Sequence, residues 1–133
     1  MTRNYTSWRA ESKDHAGAFD PAVLTSYALS IKRTLTRSSP TGPIDVGQII
    51  SKVFTDTSST LSHPRMAVAL EDGYVLSGGG AEVQYGNGFG NLLWDLEPYV
   101  NGFTAASKDH GGPDACPIQT YAMGVQLVPI GPR

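Results

Sequence analysis

Phe103-Thr104-Ala105-Ala106-Ser107-Lys108-Asp109-His110, followed by Gly111-Gly112, has an earlier version in Trp8-Arg9-Ala10-Glu11-Ser12-Lys13-Asp14-His15, followed by Ala16-Gly17. Each runs into a similar apolar segment, Leu24-Thr25-Ser26-Tyr27-Ala28-Leu29-Ser30-Ile31 in the first and Ile118-Gln119-Thr120-Tyr121-Ala122-Met123-Gly124-Val125 in the second. The offset is 95 residues at the histidines and 94 at Tyr27 and Tyr121, so the polar loop between them differs by one residue. Residues 8–32 thus resemble 103–126, and this internal repeat governs the reading of everything else.

Working outward, Ala22 to Leu35 alternates with period two. Val23, Thr25, Tyr27, Leu29 and Ile31 share one face, as in a strand with one side buried. Tyr5 to Glu11 reads as another strand, followed by a turn-rich loop. Arg37-Ser38-Ser39-Pro40-Thr41-Gly42-Pro43 breaks the pattern, because two prolines and a glycine in a polar run cannot continue a ladder. The expected division is therefore an N-terminal half-repeat of two strands (1–36), a Pro/Gly linker (37–43) and a complete β unit (44–133), forming one interlocked or strand-exchanged domain.

In the second unit, Ile44 to Phe54 suits a strand or a short helix capped by Asp45, with the strand favoured by its β-branched residues. Met66 to Leu70 and Tyr74 to Gln84 read as a hairpin about Glu71-Asp72-Gly73. Gly78-Gly79-Gly80 lies inside the second of these strands, where consecutive glycines imply a bulge, a bend, or a ring packed closely overhead. Asn91 to Leu96 is a strand, Glu97 to Gly102 a turn, and a last strand reaches Val128. Short strands with turn signals about every ten residues indicate an all-β fold, a β-sandwich of short antiparallel strands. Fifteen glycines and nine prolines agree.

The totals exclude several classes. A net charge of -2 with scattered Lys and Arg offers no basic face for nucleic acid. The apolar runs are far shorter than the roughly 20 residues of a membrane-spanning helix, and Met1 to Tyr5 has no signal-peptide core. The single cysteine, Cys116, excludes an intrachain disulfide. Gly78-Gly79-Gly80 is no phosphate loop, since no Gly-Lys-Ser/Thr follows and no helix opens after it.

Gly73-Tyr74-Val75-Leu76-Ser77-Gly78-Gly79-Gly80-Ala81, Gly90-Asn91-Leu92-Leu93, Ser107-Lys108-Asp109-His110 and Tyr121-Ala122-Met123-Gly124 occur in that order. The order resembles a family of bacterial β-rich repeat domains of secreted or surface-associated proteins, often in tandem. The match covers about residues 63 to 127, with its C-terminal half matched again at 8 to 32. It implies a repeat β-fold and an extracellular or surface-associated location, by a removed signal or another route, and it brings no catalytic residues. The chain departs from the family after Leu93, where Trp94-Asp95-Leu96-Glu97-Pro98 replaces a segment that usually reads Thr-Ala-Ser-Tyr-Pro.

The repeated tetrapeptide invites a catalytic reading, which its geometry opposes. In an extended strand Ser107 and Asp109 point one way and Lys108 and His110 the other, so one copy cannot form a Ser-His-Asp relay. The plain alternative is a structural turn: Asp14 and Asp109 accept backbone N–H bonds, and each lysine lies over Trp8 or Phe103. The sharper one is a ligand site in which Lys13, Asp14, His15, Lys108, Asp109 and His110 grip sugar hydroxyls beside aromatic platforms at Trp8, Tyr85 and Trp94. Asp14, His15, Asp109 and His110 lack close metal-ligand spacing within one element, and no metal or cofactor is expected. The expected function is a non-enzymatic module that self-associates and recognises surface glycans through these loops. The alternative is a structural subunit of a fibre or shell whose N-terminal strands complete the next copy.

Overall fold

The structure is a computed structural model that describes residues 7–13, 21–85 and 91–131. It is all-β, with no helix among the described residues. Seven strands occur in chain order: β1 (Thr34–Arg37), β2 (Ile44–Thr57), β3 (Arg65–Ala69), β4 (Val75–Val83), β5 (Asn91–Tyr99), β6 (Gly102–Asp109) and β7 (Ile118–Pro129). They form two antiparallel sheets, one in the order β1-β2-β7-β4 and the other β3-β6-β5.

Strand β7 lies inside the larger sheet, between β2 and β4, and its alternation gives it one inward and one outward face. Ile118, Thr120, Ala122 and Gly124 face inward and are buried, while Tyr121, Met123 and Val125 alternate with them. The small inward residues let the second sheet approach closely, and Thr120 Oγ1 donates to the Met66 carbonyl of β3 at 3.3 Å. Val68 and Phe103 from the smaller sheet, Leu70 beyond β3, and Ala122 from the larger form the core, flanked by Phe54, Tyr74 and Leu76. Phe54 and Tyr74 meet edge to face at 5.3 Å, worth about 0.5–1.5 kcal/mol beyond the area they bury.

The glycine run has the expected cause. The β4–β7 register shifts between Leu76 and Gly78, a bulge. On the inner side, the Phe103 ring occupies the space of a Gly79 β-carbon; at Gly80 the nearest atoms are those of the Trp8 ring, 3.6 Å from a β-carbon position.

Several connections differ from expectation. Glu71-Asp72-Gly73 does reverse the chain, with the Tyr74 N–H donating to the Glu71 carbonyl and Gly73 at φ 84°, the left-handed value a type II turn needs at this position. It joins β3 to β4, which lie in different sheets, so it is an arch and no hairpin. Residues 97–99 belong to β5, which leaves only Val100 and Asn101 as the turn. Residues 38–43 close a hairpin between the paired strands β1 and β2, with Ser39 and Gly42 exchanging backbone hydrogen bonds and Gly42 at φ 111°. The prolines end one strand and reverse the chain into the next.

The largest difference is at the N-terminus. Of the strand expected over Ala22 to Leu35, only Thr34 and Leu35 are in β1, and residues 21–33 are in no strand. Residues 7–11, expected as part of an earlier strand, are in none either. Similar sequence therefore has different local structure: 103–109 and 118–126 are strands, while 8–13 and 24–32 are not. Alternation specifies which face is apolar; whether the segment pairs depends on its tertiary context.

Candidate functional site

Ser107-Lys108-Asp109-His110 ends β6, and each residue meets a different environment. Ser107 is buried at 1% exposure, with its Oγ lacking a hydrogen-bond partner. Lys108 is exposed, its ammonium 5.9 Å from the centre of the Trp94 ring. Asp109 is half-buried and accepts a hydrogen bond from Asn91 Nδ2 at 2.9 Å, while its N–H donates to the Ser62 carbonyl at 2.9 Å. His110 is exposed just beyond the strand. The buried serine and the exposed histidine thus meet different environments.

Asn91 organises this end of the fold. Besides Asp109, its Nδ2 faces the Asp114 carbonyl at 3.0 Å and the Ser62 carbonyl at 3.4 Å. One side chain thereby ties the start of β5 to the segments before β3 and after β6. Cys116 lies beside it, buried, with its Sγ donating to the Asp114 carbonyl at 3.1 Å. Burial pushes the Cys116 thiol up, and the nearby Asp114 and Asp109 carboxylates push it further, against a smaller opposing pull from Lys13. One residue from each copy of the repeat, Lys13 and Asp109, therefore acts on the same thiol.

The motif lysines do sit over rings, though other rings than expected. Lys13 is 4.1 Å from the centre of the Tyr85 ring, and Lys108 pairs with Trp94, where a bulge between Leu93 and Asp95 leaves Trp94 without a cross-strand partner. Such exposed pairs are each worth about 0.5–1 kcal/mol. Phe103 is unavailable because it fills the core under Gly79, and Trp8 lies over Gly80. Asp14 and His15 lie outside the described residues. Among the described residues, no three His, Cys, Asp or Glu side chains gather as a metal site.

A second constellation was not legible in the motifs. Residues 7–13 cross the outer side of the larger sheet, and Trp8 remains 47% exposed in a depression of about 270 Å³ lined also by Val53, Gly80, Tyr121 and Met123. Adjoining it, Arg9, Glu11, Glu82 and Tyr121 line a polar depression of similar volume. Arg9 Nε donates to Glu11 at 2.8 Å. The Tyr121 hydroxyl lies 2.7 Å from Gln119 Oε1 and 3.1 Å from Glu82 Oε2. Burial pushes the Tyr121 phenol up, and its hydrogen bond with Glu82 adds to this. A half-exposed indole beside a guanidinium, two carboxylates and a phenol can bind a polyhydroxylated ligand, the ring covering an apolar face while the polar groups bond hydroxyls.

Compared with known proteins, the chain matches no family model, no curated protein and no solved structure.

Proposed function

We propose that this chain is a non-enzymatic, self-associating module that assembles by donating its N-terminal strand to a neighbouring copy. Residues 21–33 carry the reading: Val23 is 94% exposed, Tyr27 83% and Leu29 99%, in a segment with the alternation of a half-buried strand. Fully burying an aliphatic side chain of this size is worth about 1.5–3 kcal/mol. Exposed apolar rows of this kind mark interaction sites. The resemblance to secreted tandem-repeat domains supports an extracellular or surface setting. The test is the solution mass of the full chain beside Leu29→Lys with Ile31→Lys. Concentration-dependent association of the parent and a folded monomer from the variant are expected. A parent that stays monomeric, or a variant that unfolds because the segment packs at home, would overturn the reading.

A second reading is favoured by one observation, the Trp8 ring beside Arg9, Glu11, Glu82 and Tyr121. On this reading the module also holds carbohydrate, with the Trp94 and Lys108 surface as a second contact. A glycan array comparing the parent chain with Trp8→Ala tests it. Loss of the bound glycans in the variant is expected, and an empty array or unchanged binding would sink it.

A further inference from the structure

We infer that the open edge of β2, residues 49–56, accepts residues 26–33 of a second copy in the register that β1 already sets, an inference that rests on the strand-donation reading. Strand β1 pairs Thr34 with Gln48, and the Arg33 carbonyl accepts a hydrogen bond from the Ile49 N–H at 2.7 Å. Beyond Ile49, β2 continues to Thr57, but among the described residues no strand covers it on that side. Alternate residues of an antiparallel strand turn their N–H and C=O to the same side. Ser51, Val53 and Thr55 therefore present theirs to the open edge, as Ile49 does.

Continued without a slip, the β1 register would place Leu29 opposite Val53, Ala28 opposite Phe54 and Tyr27 opposite Thr55. On the other side of β2, β7 places Met123 opposite Val53, Ala122 opposite Phe54 and Tyr121 opposite Thr55. These are the residues that the sequence repeat matches, at its offset of 94. A hydrogen-bonded register and a sequence duplication, which are independent of each other, thus agree to the residue. A slip of one would break the match and turn every side chain to the wrong face.

The faces also agree. Ser26, Ala28 and Ser30 would point inward as Thr120, Ala122 and Gly124 do, small residues where the second sheet comes close. Leu29 would point outward beside Val53, extending the apolar lining that Val53 and Met123 form around Trp8. The occupant is a second copy because each chain leaves its own edge at Arg33 and holds residues 21–33 in solvent, so the edge stays open. Arg33 and Thr34 form the hinge, and the exchanged segment makes the contacts it would make at home, the usual route to exchanged oligomers.

The experiment uses the full chain with Cys116→Ala, mixing one form carrying Ser26→Cys with another carrying Asp56→Cys under mild oxidation. Residues 26 and 56 would face each other in a non-hydrogen-bonded pair, where side chains are close enough for a disulfide. A disulfide between chains joining 26 to 56 is expected, with several-fold less when Thr55→Cys, on the opposite face, replaces Asp56→Cys. Association abolished by Leu29→Lys without a 26–56 link would overturn the β2 acceptor and leave strand donation standing. A doubly substituted chain that links within itself and stays monomeric would overturn both. Equal linking through residues 55 and 56 would overturn the register.

Discussion

The Phe103 ring of β6 lies under Gly79 of β4, filling the space that a β-carbon on that glycine would need. This contact joins the two sheets at the core, and an aromatic ring held by packing on its other sides cannot retreat without cost. Gly79→Ala is expected to destabilise the fold by about 1–3 kcal/mol through overpacking. The adjacent Gly80→Ala should be nearly neutral, because its β-carbon would lie at ordinary contact distance, 3.6 Å, from Trp8. Urea midpoints for the two variants check this, and equal losses would refute the assignment of opposite faces.

Asn91 and Ser107 are both buried polar residues at the end of the fold, and their substitutions should differ. Asn91→Ala removes the donor that faces Asp109 and two carbonyls and should cost about 1–3 kcal/mol. Ser107→Ala removes a buried hydroxyl that has no hydrogen-bond partner, so its effect should be neutral or slightly stabilising. Thermal unfolding of both variants decides, and a larger loss at Ser107 would contradict the account.

Stability should fall under alkaline conditions. The Cys116 thiol is raised above its ordinary 9.0 by burial foremost and then by Asp114, and the Tyr121 phenol above its ordinary 10.0 by burial and then by Glu82. Both groups hold their protons more firmly when folded, so the unfolded chain loses them first as pH rises. Their contribution is complete below the ordinary values and is lost as pH climbs through the raised ones. Urea midpoints should be flat near neutrality and drop above about pH 9. Cys116→Ala should remove the earlier part of that drop, and an unchanged profile would refute its share.

The Cys116 thiol should also resist alkylation in the folded protein. It is buried and holds its proton, whereas the reactive species is the thiolate. Iodoacetamide labelling just above neutral pH should be many-fold slower than in urea. Equal rates would place the thiol at the surface.

Strands β2 to β5 and β7 were legible because each carries local evidence, alternating or β-branched residues bounded by turn chemistry, whereas β6 runs through the tetrapeptide that read as a loop. That the glycine run meets a bulge, a bend or a close neighbour was legible too, though only the structure shows that the neighbour is Phe103 at Gly79. Residues 22–32 carry the same alternation as β7 yet belong to no strand, because a pattern states which face is apolar and says nothing of which edge receives it. The arch at Glu71-Asp72-Gly73 teaches the same lesson. Its reversal is local, but whether the next strand pairs or crosses to the other sheet depends on how the core fills.

The candidate site divides the same way. The lysines' preference for aromatic rings followed from their chemistry, whereas which rings they meet depended on Phe103 being taken into the core and Trp8 lying over Gly80. Arg9, Glu11, Glu82 and Tyr121 share no motif and meet only because the N-terminal segment crosses the outer side of β4 and β7. The sequence by itself determined the all-β class and most strand positions, since these depend on backbone preference and side-chain alternation within a few residues. Only the tertiary structure decided sheet membership, the buried face of Ser107, the surroundings of Trp8 and the open edge of β2, since these depend on competition among distant segments for one small core.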